Sequence, residues 1–427
     1  MAKFWTSSND PAAPRGDPAR LVVTLTPVND ELYEVSADVD GGPPMTGQLV
    51  LNPAWRFQIE RASSGEYAAD PLQDVGAQLF RALFSGSLSR AWAQARERAR
   101  AKGGLHIVIR CASLQLQSLP WELLSDRTLT SSSERIAISE GWSVIRDVHV
   151  SGDVHRDGRP VPSQHGDLEV LVLTTPSPGL DQEAGIDILV QAFGQEVVTL
   201  APNADERTML TALASGSAKI VHFLGSGRQW RSSVQDLVLS HTDPGQMLTV
   251  SGQQLTAATA EARQPELVVL AAGFTDQLAG QLATVVPAVI GFRGQVSDTG
   301  TEVFLAEFYR ALVAGATVSQ AVAAGRMELV LSQPLGDEWA QPVLYLSKDA
   351  PLIAALPVAA PAPEAVTLTG WPSQDEMTDL IVQMKQANLR ALRAQWATVE
   401  SANMPSTIAS QMEALGNDLE ELTGGAL

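Results

Sequence analysis

Hydrophobic positions along the chain follow two rhythms in succession. Between residues 21 and 51 they form strand-like patches, LVVTLT, LYEVSADV and GQLVL, parted by Asn-Asp and Gly-Gly-Pro-Pro turn signals. From 72 to 102 the period lengthens: Leu72, Val75, Leu79 and Leu83 recur at three to four residues, and a second helix carries Leu88, Trp92 and Ala95. From about residue 105 short apolar strands alternate with helices. The strands are LHIVIR (105–110), LEVLVLTT (168–175), EVVTLA (196–201), KIVHFL (219–224), ELVVLA (266–271) and AVIGF (288–292). Helical patterns fill 181–194, 205–215, 276–283, 299–313 and 317–331. Several strands are apolar throughout, as strands are when helices cover both faces of a parallel sheet. The pattern predicts a layered α/β domain with a mostly parallel central sheet.

The two ends read differently. Residues 1–20 are polar and proline-rich without an apolar signal core, which predicts a disordered arm. Residues 351–370 are rich in proline and alanine and nearly uncharged, the composition of an extended linker. Ser373 followed by Glu376 makes a capping box that opens a long helix with Met377, Leu380, Ile381 and Met384 on its apolar stripe. After Pro405, Ile408, Met412, Leu415, Leu419 and Leu422 repeat four-three-four-three, a heptad seam stopped by Gly424 and Gly425. Two such helices bury too little surface to stand alone, so they must pack on the main domain, on each other, on a second copy or on a partner. The predicted divisions are a 1–20 arm, a 21–104 α+β region, a 105–350 core, a 351–370 linker and a 371–427 helical hairpin or coiled coil.

Composition narrows the function classes. A chain of 427 residues, 45% apolar, builds a sizeable core in more than one structural unit. No run reaches the roughly 18 uninterrupted apolar residues of a membrane span. One cysteine rules out an intrachain disulfide and fits a reducing, cytoplasmic setting. A net charge of −19 repels phosphate backbones and disfavours nucleic acid. The densest basic run, Arg90 to Lys102, reads as the solvated face of a helix.

In sheets of this kind ligands gather at the carboxyl ends of the strands. Two turns lie there: Gly225–Ser226–Gly227 after KIVHFL, and Ala271–Ala272–Gly273 after ELVVL. Ser226 could attack a substrate only with a general base in reach. A Gly-Ser-Gly run is also what a tight turn wants for conformational reasons. No phosphate-loop lysine follows, and the motif is not a full nucleophile elbow, so no cofactor is indicated. Cys111 reads as a buried packing residue and His222, inside VHFL, as a satisfied core residue. His106, His149, His155, His165 and His241 lack metal-ligand spacing, so no metal is expected.

At LQSLPWELLSD (116–126) the sequence resembles the CHAT domain, a bacterial relative of the caspases. The likeness continues in order. LEVLVLTTPSP resembles the first strand of the protease-like core, with Glu183 in the helix after it. KIVHFLGSG resembles the segment bearing the family's catalytic His-Gly, and PELVVLAAGFTD the segment bearing its catalytic cysteine. Residues 285–326 resemble the closing strand and two helices, and the strands and helix before the core are similar to the region that often precedes it. In all, the resemblance covers about 21–350. It implies a three-layer caspase-like sandwich. It also implies that Ser226 stands where the family has its general-base histidine, and Gly273 where it has its cysteine.

Three functions follow as expectations. The first is a non-catalytic pseudoprotease, an adaptor or regulator in a bacterial stress or anti-phage system. It would join itself or a partner through the C-terminal helices, the partner being an active protease or effector encoded nearby. The second is a sensor whose cleft, lined by Gly225, Gly227, Ala271 and Ala272, binds a small ligand or nucleotide. The third is a hydrolase using Ser226 or Cys111 with His222.

Overall fold

The computed structural model describes residues 17–51, 55, 69–111, 113–129, 135–139, 141–148, 168–175, 182–215, 218–229, 235–243, 246–260, 264–332, 338–347 and 349–353. The N-terminal patches form an antiparallel meander of β1 (Ala19–Pro27), β2 (Leu32–Val39) and β3 (Met45–Val50). Alternate residues of β2, Tyr33, Val35, Ala37 and Val39, are buried, as the two-residue period of a pleated strand dictates. Two helices follow, α1 (Ala69–Leu83) and α2 (Leu88–Lys102). In α2, Leu88, Ala91, Trp92, Ala95 and Ala99 turn inward while Arg90, Arg98 and Arg100 stay exposed, so the basic run is a solvated helix face. The helix stops at Gly103, whose φ of +77° suits the left-handed cap and whose N–H donates to the Ala99 carbonyl.

Next come β4 (Leu105–Arg110), the short helix α3 (Leu114–Gln117), the 3₁₀ turn Trp121–Leu123 and β5 (Trp142–Asp147). The core proper runs β6 (Val170–Thr174), α4 (Gln182–Phe193), β7 (Val198–Ala201), α5 (Glu206–Ser215) and β8 (Ile220–Leu224). A small antiparallel sheet of β9 (Ser226–Gln229), β10 (Gln235–Asp243) and β11 (Gln246–Ser251) then precedes α6 (Gly252–Ala260). The chain continues with β12 (Leu267–Ala271), α7 (Asp276–Leu282), β13 (Ala288–Phe292), α8 (Asp298–Val313), α9 (Val318–Ser332) and β14 (Pro342–Leu346).

The large sheet has the order β3-β2-β1-β4-β5-β14-β13-β12-β8-β6-β7 and is mostly parallel. Its exceptions are the β1–β2–β3 meander and β14, which runs antiparallel to β13. Strands of the core feed two helical layers by alternation. Val170, Val172, Ile220 and Val269 pack with Leu189, Phe308 and Leu329 of α4, α8 and α9. Leu171, Val221, Phe223 and Val268 pack with Met209, Leu255 and Leu278 of α5, α6 and α7. This is the three-layer caspase-like sandwich that the residues around LPWELL implied.

Several expectations need adjustment. β1 begins at Ala19, whose N–H donates to the Gly104 carbonyl, so the end of the predicted arm is already strand. The strands of the 21–104 α+β region extend the large sheet through the β1–β4 pairing. The core also runs past 350: Leu352 and Ile353 are buried and Thr317 bridges Pro351. Strands β5, β9, β10, β11 and β14 and helix α6 escaped the sequence reading. Of the predicted linker only 351–353 are described; the helices of 371–427, with Ile408, Met412, Leu415, Leu419 and Leu422, lie outside the described residues.

Candidate functional site

β8 and β12 lie side by side with Leu224 opposite Ala271, so both glycine-bearing segments leave the sheet at the same rim. They share a cleft of about 420 Å³. One wall is Gly225, Ser226, Gly227 and residues 271–274; the other is residues 295–298 with Thr301 and Glu338. All six residues singled out from the sequence, Ser226, Gly273, Gly225, Gly227, Ala271 and Ala272, line it.

The turn after β8 is tighter than the sequence suggested. Gly225 alone forms the bend, and Ser226 and Gly227 already belong to β9, paired with Val238 and Leu237. Glycine is required on both sides of Ser226 by close approach. A β-carbon at Gly225 would collide with Thr175 Oγ1 and sit 2.6 Å from the Phe223 ring, and one at Gly227 would overlap the Gly273 carbonyl. Thr175 Oγ1 also donates to the Val238 carbonyl at 3.1 Å, tying β6 to β10 behind the cleft.

The turn after β12 is held by Thr275. This fully buried residue packs its hydroxyl 2.8 Å from the Ala272 carbonyl and 3.2 Å from that of Leu270, and accepts the Phe292 N–H at 3.0 Å. Between them Phe274 sits at φ +56°, a left-handed conformation that an aromatic residue adopts only at a cost of order 1–3 kcal/mol. On the facing wall Ser297 caps α8, its Oγ accepting the Gly300 N–H at 3.0 Å. Glu338 accepts from the Ser297 N–H at 3.1 Å and from its hydroxyl at 2.9 Å. With Asp298 exposed on the first turn of α8, this wall carries two carboxylates.

Among the described residues that line the cleft there is no histidine, cysteine or lysine. His222 is wholly buried one turn of strand earlier, with Nδ1 2.6 Å from the Tyr309 hydroxyl, and burial pushes its pKa down to about 3. It is a core residue, although its Nε2 has no hydrogen-bond partner. Cys111, just past β4, is 2% exposed, and burial pushes its thiol up to about 12. Neither reaches the cleft.

A serine, a histidine and an aspartate do converge elsewhere. Ser319 Oγ donates to Asp349 Oδ2 at 2.6 Å and lies 3.2 Å from His106 Nε2, which is 3.6 Å from the same carboxylate oxygen. A proton relay needs the acid and the alcohol on opposite ring nitrogens; here both face Nε2 and Ser319 is fully buried. The cluster fastens β4, the start of α9 and the segment after β14. Among the described residues no group of three or more His, Cys, Asp or Glu converges as metal ligands would, and no helix is long and apolar enough to cross a membrane.

Sequence reasoning missed Thr275, Phe274, Ser297 and Glu338. Ser297 was findable as a cap two residues before the predicted helix start. Glu338 gave no signal, because its partner Ser297 lies 41 residues earlier in the sequence.

The sequence matches the family model of the CHAT domain over residues 73–347. The chain belongs to the CHAT domain family. No curated protein matches it significantly. Among solved structures, two crystal structures of the Saccharomyces cerevisiae separase–securin complex, at 2.6 and 3.0 Å resolution, align with 15% identity and a TM-score of 0.36. Each alignment covers 70% of this CHAT chain and 21% of the matched one, so the chain spans about a fifth of that relative's length. The structure of a protease aligns with 11% identity and a TM-score of 0.40, covering 70% of this chain and 75% of that one.

Proposed function

We propose that this CHAT protein is a pseudoprotease: it holds a polypeptide in the cleft between β8 and β12 and does not cut it. The observation that carries this reading is the content of the two turns. They meet in one cleft, and the positions that the family resemblance gives to a general base and a thiol hold Ser226 and Gly273. A glycine has no nucleophilic side chain, and a serine hydroxyl is protonated at neutral pH. The close-fitting glycines, the Thr275 stitch and the capped helix α8 keep the walls in place all the same. Asp298 and Glu338 on one wall make the cleft complementary to an extended peptide carrying a cationic side chain. In this reading the C-terminal heptad seam recruits a second copy or a separately encoded effector, such as an intact protease in a bacterial stress or anti-phage system.

The test is a peptide library presented to the purified full-length chain, read for binding by fluorescence polarisation and for cleavage by mass spectrometry. Binding without cleavage, weakened when Gly273→Phe fills the cleft, is the expected result. Turnover abolished by a change at Ser226 or Gly273 would sink the proposal. For the tail, light scattering on full-length protein and on residues 1–360 should give different assembly masses; equal masses would remove the self-association arm.

A second reading is favoured by one feature, the volume. About 420 Å³ lies within the roughly 300–1,000 Å³ of small-molecule sites, so the cleft could serve a ligand sensor. A metabolite that raises Tm through linkage, and fails to do so in Gly273→Phe, would favour it over peptide holding.

A further inference from the structure

The LPWELL motif carried the family resemblance, and its acidic residue is buried in the middle of the protein. Glu122 is fully buried in the 3₁₀ turn Trp121–Leu123. Its Oε1 accepts from Arg146 Nε at 3.0 Å and its Oε2 from Arg146 Nη2 at 2.5 Å, a bidentate pair. The same guanidinium donates to the carbonyls of Gln117 and Leu119, which fixes the motif's own backbone to β5. On the other side, Arg326 Nη2 of α9 lies 3.9 Å from Glu122 Oε1 and donates at 2.7 Å to the carbonyl of Pro342, the first residue of β14.

These contacts sit where the large sheet is weakest. Among the described residues, the half β3-β2-β1-β4-β5 joins the half β14-β13-β12-β8-β6-β7 through one ladder position, Tyr345 with Arg146. All other neighbouring pairs share at least three register positions. Arg146 also stacks over the Tyr345 ring with its central carbon 5.9 Å from the centroid. Backbone pairing therefore does little to hold β14 against β5, and the ion cluster supplies the join.

The join lies next to the cleft wall. Gln341, which precedes Pro342, accepts the Arg293 N–H at 2.9 Å and donates its own N–H to the Glu338 carbonyl at 3.0 Å. Arg293 directly follows Phe292, and both Phe292 and Glu338 line the cleft. A path thus runs from Glu122 across a 3.9 Å ion pair to Arg326, then through its hydrogen bond to Pro342 and the backbone bonds of Gln341, to the wall that carries Glu338. Burial pushes the Glu122 carboxyl up, but Arg146, Arg326 and Arg293 together hold it below its ordinary range. Glu122 is the anion facing these three buried cations. A second buried carboxyl near these cations, Asp276, is itself pushed up by burial and bonded to Gln235.

We infer that Glu122 is a positioning residue for the cleft: by clasping Arg146 and Arg326 it joins the two half-sheets and fixes the rim at 292–298 and 338–342. This goes beyond the proposed holding function and rests on it only in treating the cleft as the working site. The test reads rim order directly, so its failure and the failure of peptide holding are distinguishable.

The experiment is hydrogen–deuterium exchange on the full-length chain. Glu122→Gln removes the charge with little change of volume, and Glu122→Asp keeps the charge while drawing the carboxylate back. The expected result for Glu122→Gln is exchange at least about tenfold faster in peptides covering 292–298 and 338–342, with β1, β2 and α5 unchanged. Glu122→Asp should return part of the protection. A uniform rise across rim and distant elements would overturn the inference, because it would make Glu122 a contributor to global stability only. So would unchanged exchange at the rim, or insolubility of both variants, which would place its role in folding of the whole sheet.

Discussion

The α-carbon of Gly227 rests against the carbonyl oxygen of Gly273, so closely that no β-carbon fits between them. This contact locks the two glycine-bearing segments of the cleft together, one from β9 and one from the end of β12. Gly227→Ala must push them apart, and both are backed by packed sheet. Overpacking of this kind costs about 1–3 kcal/mol. Urea unfolding should show a lower midpoint at unchanged m-value, and an unchanged midpoint would mean that the contact yields freely.

His222 gives the fold a pH dependence of predictable sign. Its folded pKa, near 3, lies below the ordinary 6.5, so the unfolded chain takes up the proton first. Its contribution is therefore complete above about pH 6.5 and falls as pH drops toward 3, by about 1.4 kcal/mol per pH unit. Between pH 6.5 and 4.5 that is a loss of about 2 kcal/mol, because the unfolded chain is already half-protonated at pH 6.5. His222→Gln keeps a polar group for the Tyr309 hydroxyl and cannot titrate. Its stability should decline less over this interval than that of the wild type. Parallel curves would refute the assignment.

The strands that the sequence displayed were those with uniform apolar runs. VLVLT, IVHFL, LVVLA and AVIGF are buried on both faces, and no solvent-facing residues interrupt them. β14, PVLYL, is equally buried but opens with proline, and it runs antiparallel to β13, so the βα rhythm did not predict it. β5 mixes Ser143, Arg146 and Asp147 among its apolar residues because those side chains enter buried polar contacts, which a hydropathy pattern cannot anticipate. At the cleft the glycine turns were legible because glycine marks close approach of backbone. Glu338 and Thr275 were not, since their partners lie 41 and 17 residues away in sequence.

Thr275 makes a sharper prediction than its size suggests. Its hydroxyl serves the Ala272 carbonyl and the Phe292 N–H at once, joining the β12 turn to the end of β13. Thr275→Val keeps the shape and leaves both groups buried without that partner. A loss of about 1–3 kcal/mol follows from the unsatisfied groups. Thr275→Ser, which retains the hydroxyl, should recover most of it. Equal loss in both variants would point to the methyl group, which lies against Gly227, as the feature that matters.

Thiol chemistry tests the cleft most directly. Cys111 is buried with its thiol raised to about 12, so the native protein should resist iodoacetamide at pH 7.5 and label only when unfolded. Gly273→Cys should be tolerated, because a β-carbon there would lie 3.1 Å from the Gly294 carbonyl and 3.3 Å from Gln295 Cα, a crowding relieved by a shift of a few tenths of an ångström. The introduced thiol faces the cleft and should label in the folded state. Adding Ser226→His places an imidazole on the adjoining segment of the same wall, where it can draw off the thiol proton. The labelling rate at pH 7 should then rise at least about tenfold, since the thiolate is the reacting form. If the second substitution leaves the rate unchanged, positions 226 and 273 do not address a common atom, and the reading of this cleft as a protease site without its reactive groups fails.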